Sequence, residues 1–158
     1  MNRAVELIFI HQDEETSFYS FKYTDDTTSE FDKFYEMFDT EEFEEEFNII
    51  TYWIEKIGKE GAIDRFFRPE KGNLMALPSP LEYSDIRLYV FKIEEGVVLL
   101  GNGGLKTTRT FNEDPILNAH AQNLYTVGNI LMSEIKNNKI TVYNNILYEL
   151  HPIKFSAV

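Results

Sequence analysis

Residues 86–109, IRLYVFKIEEGVVLLGNGGLKTTR, leave this chain the fewest choices. Two apolar runs rich in β-branched and aromatic side chains flank Glu94, Glu95 and Gly96, the pattern of a buried β-hairpin. The second run ends in Gly101, Asn102, Gly103 and Gly104, with Lys106 and Arg109 just beyond. A hairpin apolar on both faces near its turn must lie centrally in a sheet, covered on each side.

A three-residue loop with Gly96 in the left-handed conformation sets a register. Ile93 then faces Val97, Phe91 faces Leu99, Tyr89 faces Gly101 and Arg87 faces Gly103. Alternation puts Arg87, Tyr89, Phe91 and Ile93 on one face and Leu88, Val90 and Lys92 on the other. The register predicts that Arg87, Lys106 and Arg109 share one neighbourhood. A two-residue loop would slide it by one and carry Arg87 away. Glycines beside such cations would let a phosphate approach the backbone at Gly103 and Gly104. The alternative is that they serve a bulge or twist.

The flanking segments predict helices and further strands. Residues 5–10 and 17–23 read as strands, and Ser29 as the N-cap of a short helix turning Phe31, Phe34 or Tyr35, and Phe38 inward. A longer helix capped by Asp39 or Thr40 would carry Phe43, Phe47, Ile50, Ile54 and Ile57 on one stripe and stop at Gly58 or Gly61. Its acidic start suits the positive end of the helix dipole. Residues 61–85, rich in Gly and Pro, read as an irregular bridge with one short strand at 73–77. Asp114 and Pro115 open a C-terminal helix with Leu117, Ala121, Leu124, Gly128, Leu131 and Ile135 inward. Residues 140–143 and 146–150, joined by Asn144 and Asn145, form a last hairpin. The fold class is α+β: a twisted, mainly antiparallel sheet, an N-terminal helical pair and a long C-terminal helix, in one domain over residues 1–158.

Charge is unevenly placed. The net −12 arises in residues 1–60, which carry 5 Lys/Arg and 17 Asp/Glu, whereas the rest carries 10 of each. The acidic helix is most simply a solvated face, the alternative being a surface for a basic partner. The 158 residues contain no Cys, excluding a disulfide framework or thiolate chemistry, and no run suits a signal peptide or membrane span. A cytoplasmic protein without membrane attachment is expected.

Nucleotide motifs fail. Leu105 separates Gly104 from Lys106, so GNGGLKTT is no Walker loop, and the glycines do not fit G-x-G-x-x-G. His11, His120 and His151 lack metal-ligand spacing, and no metal or cofactor is expected. His120 is either an acid/base group or a half-buried helix residue. A second cationic group, Arg65, Arg68 and Lys71, interleaves with Phe66, Phe67 and Pro69 and suits phosphate contact. The two phenylalanines are expected to anchor in the core.

FFRPEKG, then IRLYVFKIEEGVVLLGNGGLKTTRTFNEDP, resembles the core of RelE/HigB-type toxins of bacterial toxin–antitoxin pairs, over about residues 40–135. The N-terminal strands and terminal hairpin are additions to that core. The resemblance implies a RelE-like α+β fold, ribosome-dependent cleavage of mRNA and neutralisation by a helix-turn-helix antitoxin protein, with no DNA binding expected of this chain alone. It places Arg87, Lys106 and Arg109 in the catalytic site, with Tyr89, His120 or Glu70 as acid/base candidates. Arg65, Arg68, Lys71, Gly103 and Gly104 would bind RNA. The competing expectation is a non-catalytic interaction domain using its acidic helical face. A strongly acidic chain opposes an RNA-rich surface, so any RNA site must be local.

Overall fold

A computed structural model describes residues 1–94 and 96–158. Its main strands are β1 (Asn2–Gln12), β2 (Ser17–Tyr23), β3 (Arg68–Lys71), β4 (Leu74–Leu77), β5 (Ile86–Glu94), β6 (Val97–Leu105) and β9 (Ile153–Ser156). They form one seven-stranded sheet in the order β3-β4-β5-β6-β2-β1-β9. All neighbours run antiparallel except β2 and β6. Helices α1 (Glu30–Phe38) and α2 (Glu44–Glu60) cover one face, and α3 (Pro115–Lys136) covers the other. Strands β7 (Thr141–Tyr143) and β8 (Ile146–Tyr148) form a separate ribbon. The fold is therefore α+β with a mostly antiparallel sheet. No helix among the described residues is long and apolar enough to cross a membrane.

Each sheet face has its own core. Ile86, Leu88, Val90, Val98 and Leu100 pack with Phe34 and Phe38 of α1 and Phe47, Ile50, Trp53 and Ile57 of α2. Tyr89, Phe91, Ile93, Val97 and Leu99 pack with Leu117, Ala121, Leu124, Val127 and Leu131 of α3. Burial on both faces makes β5 and β6 central. α3 sits close because glycines leave room. A Cβ on Gly128 would press into the Phe91 ring, and one on Gly101 would lie 2.9 Å from Leu124.

The hairpin's central pairs match the expected register, Phe91 with Leu99 among them, but irregularities on both sides alter its ends. Arg87 pairs with Gly104 rather than Gly103, because the register slips by one between Leu88 and Val90. Gly103 sits opposite Leu88, where a Cβ would overlap the Arg87 carbonyl. A side chain there would push the strands apart. Of the expected loop, Glu95 lies outside the described residues, and Glu94 belongs to β5.

Three further expectations need correction, and one strand is additional to them. α2 begins at Glu44, after Phe43 and with no side-chain cap, while Asp39 closes α1. The Thr40 cap would have extended the helix by a turn that the chain spends linking two helices. Trp53, not Ile54, is fully inward, because the bulkier indole fills the seat against Phe66. Residues 68–71, read as irregular, form edge strand β3, where Pro69 is tolerated because an edge residue need not donate. Lastly, β9 continues the sheet beyond β1, with Ile153 and Phe155 inward. The terminal ribbon turns at Asn144 and Asn145, with φ of 54° and 63°, the left-handed pair that favours asparagine.

Candidate functional site

The α3 face gathers polar groups at the far end of β5. Arg68 pairs with Ala76, and Ala76 with Tyr89, so those side chains share a face across three strands. Arg87, two residues before Tyr89 on β5, joins them, and Glu70, at the irregularity of β3 between Pro69 and Lys71, lies within the field of Arg68, Arg87 and Lys106. Lys106 follows β6 and is held to β5's entry by its backbone N–H, which donates to Asp85 O at 2.8 Å.

The electrostatics show how tightly these groups are coupled. Burial pushes the Glu70 carboxyl up, and the nearby charges of Lys106, Arg87 and Arg68 pull it back. Burial and the Arg68 charge press the Arg87 guanidinium down. Burial, then the Glu70 charge, pushes the Tyr89 phenol far up, so it stays protonated at neutral pH. Yet Glu70 makes no contact ion pair among the described residues. It is a carboxylate in a cationic field with its oxygens uncommitted.

Each arginine is anchored by one arm and free at another. Arg68 Nη2 donates to Glu82 O at 3.3 Å and to Ser79 O at 3.5 Å. Arg87 Nη1 donates to Ser84 O and, at 3.0 Å, to Ile86 O. Both Nε groups and the Tyr89 hydroxyl are buried without a partner. A buried unpaired donor costs about 1–3 kcal/mol, so these three groups are held there at a cost in stability. Tyr83, 85% exposed, stands at the rim, its hydroxyl donating to Asp85 at 2.8 Å within the field of Arg87. Nothing in the sequence pattern singled out Tyr83 or Asp85. Glu70 and Arg68 would have shared a face on paper had residues 68–71 been read as a strand.

The remaining candidates lie elsewhere or serve packing. Lys106 Nζ donates to Arg109 O at 3.0 Å, but the Arg109 side chain is exposed and absent from the couplings at Glu70, Arg87 and Tyr89. The expected trio therefore reduces to Arg87 and Lys106, with the Arg109 backbone bracing the loop. Arg65 lies over Phe66, 5.2 Å from the ring centroid, and Lys71 over Tyr125 at 4.2 Å, so only Arg68 of that cluster joins the site. Phe66 and Phe67 are buried as anchors. Gly103 and Gly104 are buried too, Gly104 against Leu117, which is a packing position rather than an open cradle.

His120 belongs to a second polar cluster, between α1 and α3. Its Nδ1 lies 3.9 Å from Glu30 Oε1, and burial pushes its pKa down. Glu30 also accepts from Lys33 Nζ at 2.6 Å and Asn102 Nδ2 at 3.4 Å. His11 and His151 are exposed, and the described residues include no group of three metal-ligating side chains.

Fold and site together define a small α+β protein with a carboxylate held among cations at one end of a central hairpin. Compared with known protein families, curated proteins and solved structures, the chain finds no match.

Proposed function

We propose that this chain is a RelE/HigB-like toxin that cleaves mRNA on the ribosome and is neutralised by a helix-turn-helix antitoxin. One observation carries the reading: Glu70, uncommitted and half-buried, converges with Arg68, Arg87, Lys106 and the unpaired Tyr89 hydroxyl. The helical pair preceding the antiparallel run β3 to β6, which carries Arg87 and Tyr89 on β5, supports it further. The acidic α2 packs on the opposite face of the sheet from this cluster, which leaves the cations a local field of their own.

The chemistry follows from the groups present. Glu70 accepts the proton of a ribose 2′-hydroxyl, and its raised pKa makes it a stronger base than a surface carboxylate. The 2′-oxygen bonds to phosphorus, the P–O5′ bond breaks, and a 2′,3′-cyclic phosphate remains. Arg68 and Arg87 offset the charge that develops on phosphorus with their guanidinium charges. Tyr89, wholly buried, backs the arginines from within the sheet, and Lys106 protonates the departing 5′-oxygen. Every role in this division of labour falls to a side chain of the protein itself.

Induced expression in a bacterial host, with primer extension on a translated message, tests the reading. Wild-type protein is expected to arrest growth and cut the message, and Arg87→Ala to do neither. A folded wild-type protein that leaves growth and translated mRNA intact overturns it.

A further inference from the structure

A second surface faces away from the cationic cluster. Residues 34–55 contain eight acidic residues and no Lys or Arg. Within the described residues none of those eight takes part in an ion pair. Other acids of the chain do find partners: Asp25 with Arg3, Asp26 and Glu30 with Lys33, Glu60 with Lys56 and Asp64 with Lys92. Uncompensated charge is thus concentrated on α1, α2 and their link.

On that surface is a groove of about 330 Å³, lined by Glu45, Asn48, Ile49 and Tyr52 of α2 and by Glu82 of the loop after β4. The spacing from Glu45 through Ile49 to Tyr52 makes one helical stripe. Tyr52 is 52% exposed, its neighbour across the groove being a carboxylate, and Leu81 beside Glu82 is 80% exposed. An apolar floor with an acidic rim is the surface an amphipathic cationic helix fits, its apolar side down and its Lys and Arg on the rim.

We propose that this groove is a docking site for a basic, amphipathic segment of a partner protein. Charge complementarity selects that occupant. A second copy of this chain would bring its own unpaired acids, and RNA or an anionic membrane would bring phosphates, all repelled by eight carboxylates. A purely electrostatic partner would have no use for Ile49 and Tyr52. The same loop joins the two surfaces, since the Glu82 side chain lines the groove while its carbonyl accepts from Arg68. The assignment stands whether or not the cationic site cleaves RNA.

The test uses the full chain and a labelled synthetic helix with Leu on one face and Lys on the other. Its controls are a peptide of the same composition with Leu scrambled around the helix, and an acidic counterpart. Anisotropy should show the amphipathic peptide binding about tenfold more tightly than the scrambled one, with no binding of the acidic peptide. Tyr52→Ser should weaken binding about tenfold, and Glu45→Gln with Glu82→Gln about fivefold, at unchanged helical content and melting temperature. Amide shifts on binding should centre on residues 45–52 and 82. Equal affinity for scrambled and amphipathic peptides overturns the proposal, as do variants without effect or shifts centred elsewhere. So does sedimentation that finds the groove closed in a dimer of this chain.

Discussion

The two polar clusters, around Glu30 and around Glu70, differ in whether the acid at the centre is paired. Around Glu30 the acid is contact-paired: Lys33 lies at 2.6 Å, Asn102 donates at 3.4 Å, and Ser29 caps the helix one residue earlier. Around Glu70 the cations are near enough to set its proton affinity, yet none closes on it. The first cluster uses its charges to hold α1 against β6 and α3. The second keeps a carboxylate, two guanidinium N–H groups and a phenol unpaired at a cost in stability.

That contrast predicts opposite outcomes for two matched substitutions. Under the proposed function, Glu70→Gln should reduce mRNA cleavage by about 100-fold or more, the loss expected when a general base becomes an amide. Its melting temperature should equal or exceed the wild-type value. A carboxyl whose pKa is raised by folding binds its proton more tightly in the folded state, so its ionisation opposes folding. Stability from this group is full below the ordinary carboxylate range and falls as pH rises towards the raised value, a loss that glutamine cannot suffer. Scanning calorimetry at acid and neutral pH reads the sign. A Glu70→Gln variant that cleaves normally, or melts lower only at neutral pH, breaks the comparison.

Glu30→Gln should do the reverse. Lys33 would lose its closest buried acceptor, and the fold should weaken by about 2 kcal/mol. That is less than for a fully enclosed pair, because Lys33 and Asp26 are each about a third exposed and Asp26 remains to pair with Lys33. Cleavage by the fraction still folded should match wild type within about threefold. Chemical denaturation gives the first number and single-turnover cleavage below the melting range gives the second.

How far these clusters were legible in sequence depends on what sets each position. The hairpin was readable because its apolar runs are long and its loop short, and Phe91 does face Leu99. Its irregularities were not, since they arise where Gly103 lets the backbone approach the Arg87 carbonyl, a matter of packing rather than pattern. The Arg68–Glu70 strand was hidden by Pro69, which reads as a breaker although an edge strand accepts it. Arg109, near Lys106 in sequence, was expected at the site, but a turn that spends its carbonyl on Lys106 leaves its guanidinium outside. Glu30 gave no sign of burial, because a lone acid in the first turn of a helix is ordinary there. β9 is too short for a periodic signal, and only pairing with β1 defines it.

The smallest effect is expected at His120, which lies on the helix covering the Glu70 face of the sheet but turns towards Glu30. Burial lowers its pKa, with the Glu30 charge opposing. The folded state therefore binds this proton less readily than the unfolded chain. Its contribution to stability is whole above the ordinary histidine value and lost as pH falls towards the lowered one. His120→Asn should flatten that acid limb while leaving cleavage within about threefold of wild type. A 100-fold loss of cleavage at unchanged stability would instead make His120 a proton carrier. Glu30 and His120 would then belong to the reacting assembly, and the line between the two clusters would fall.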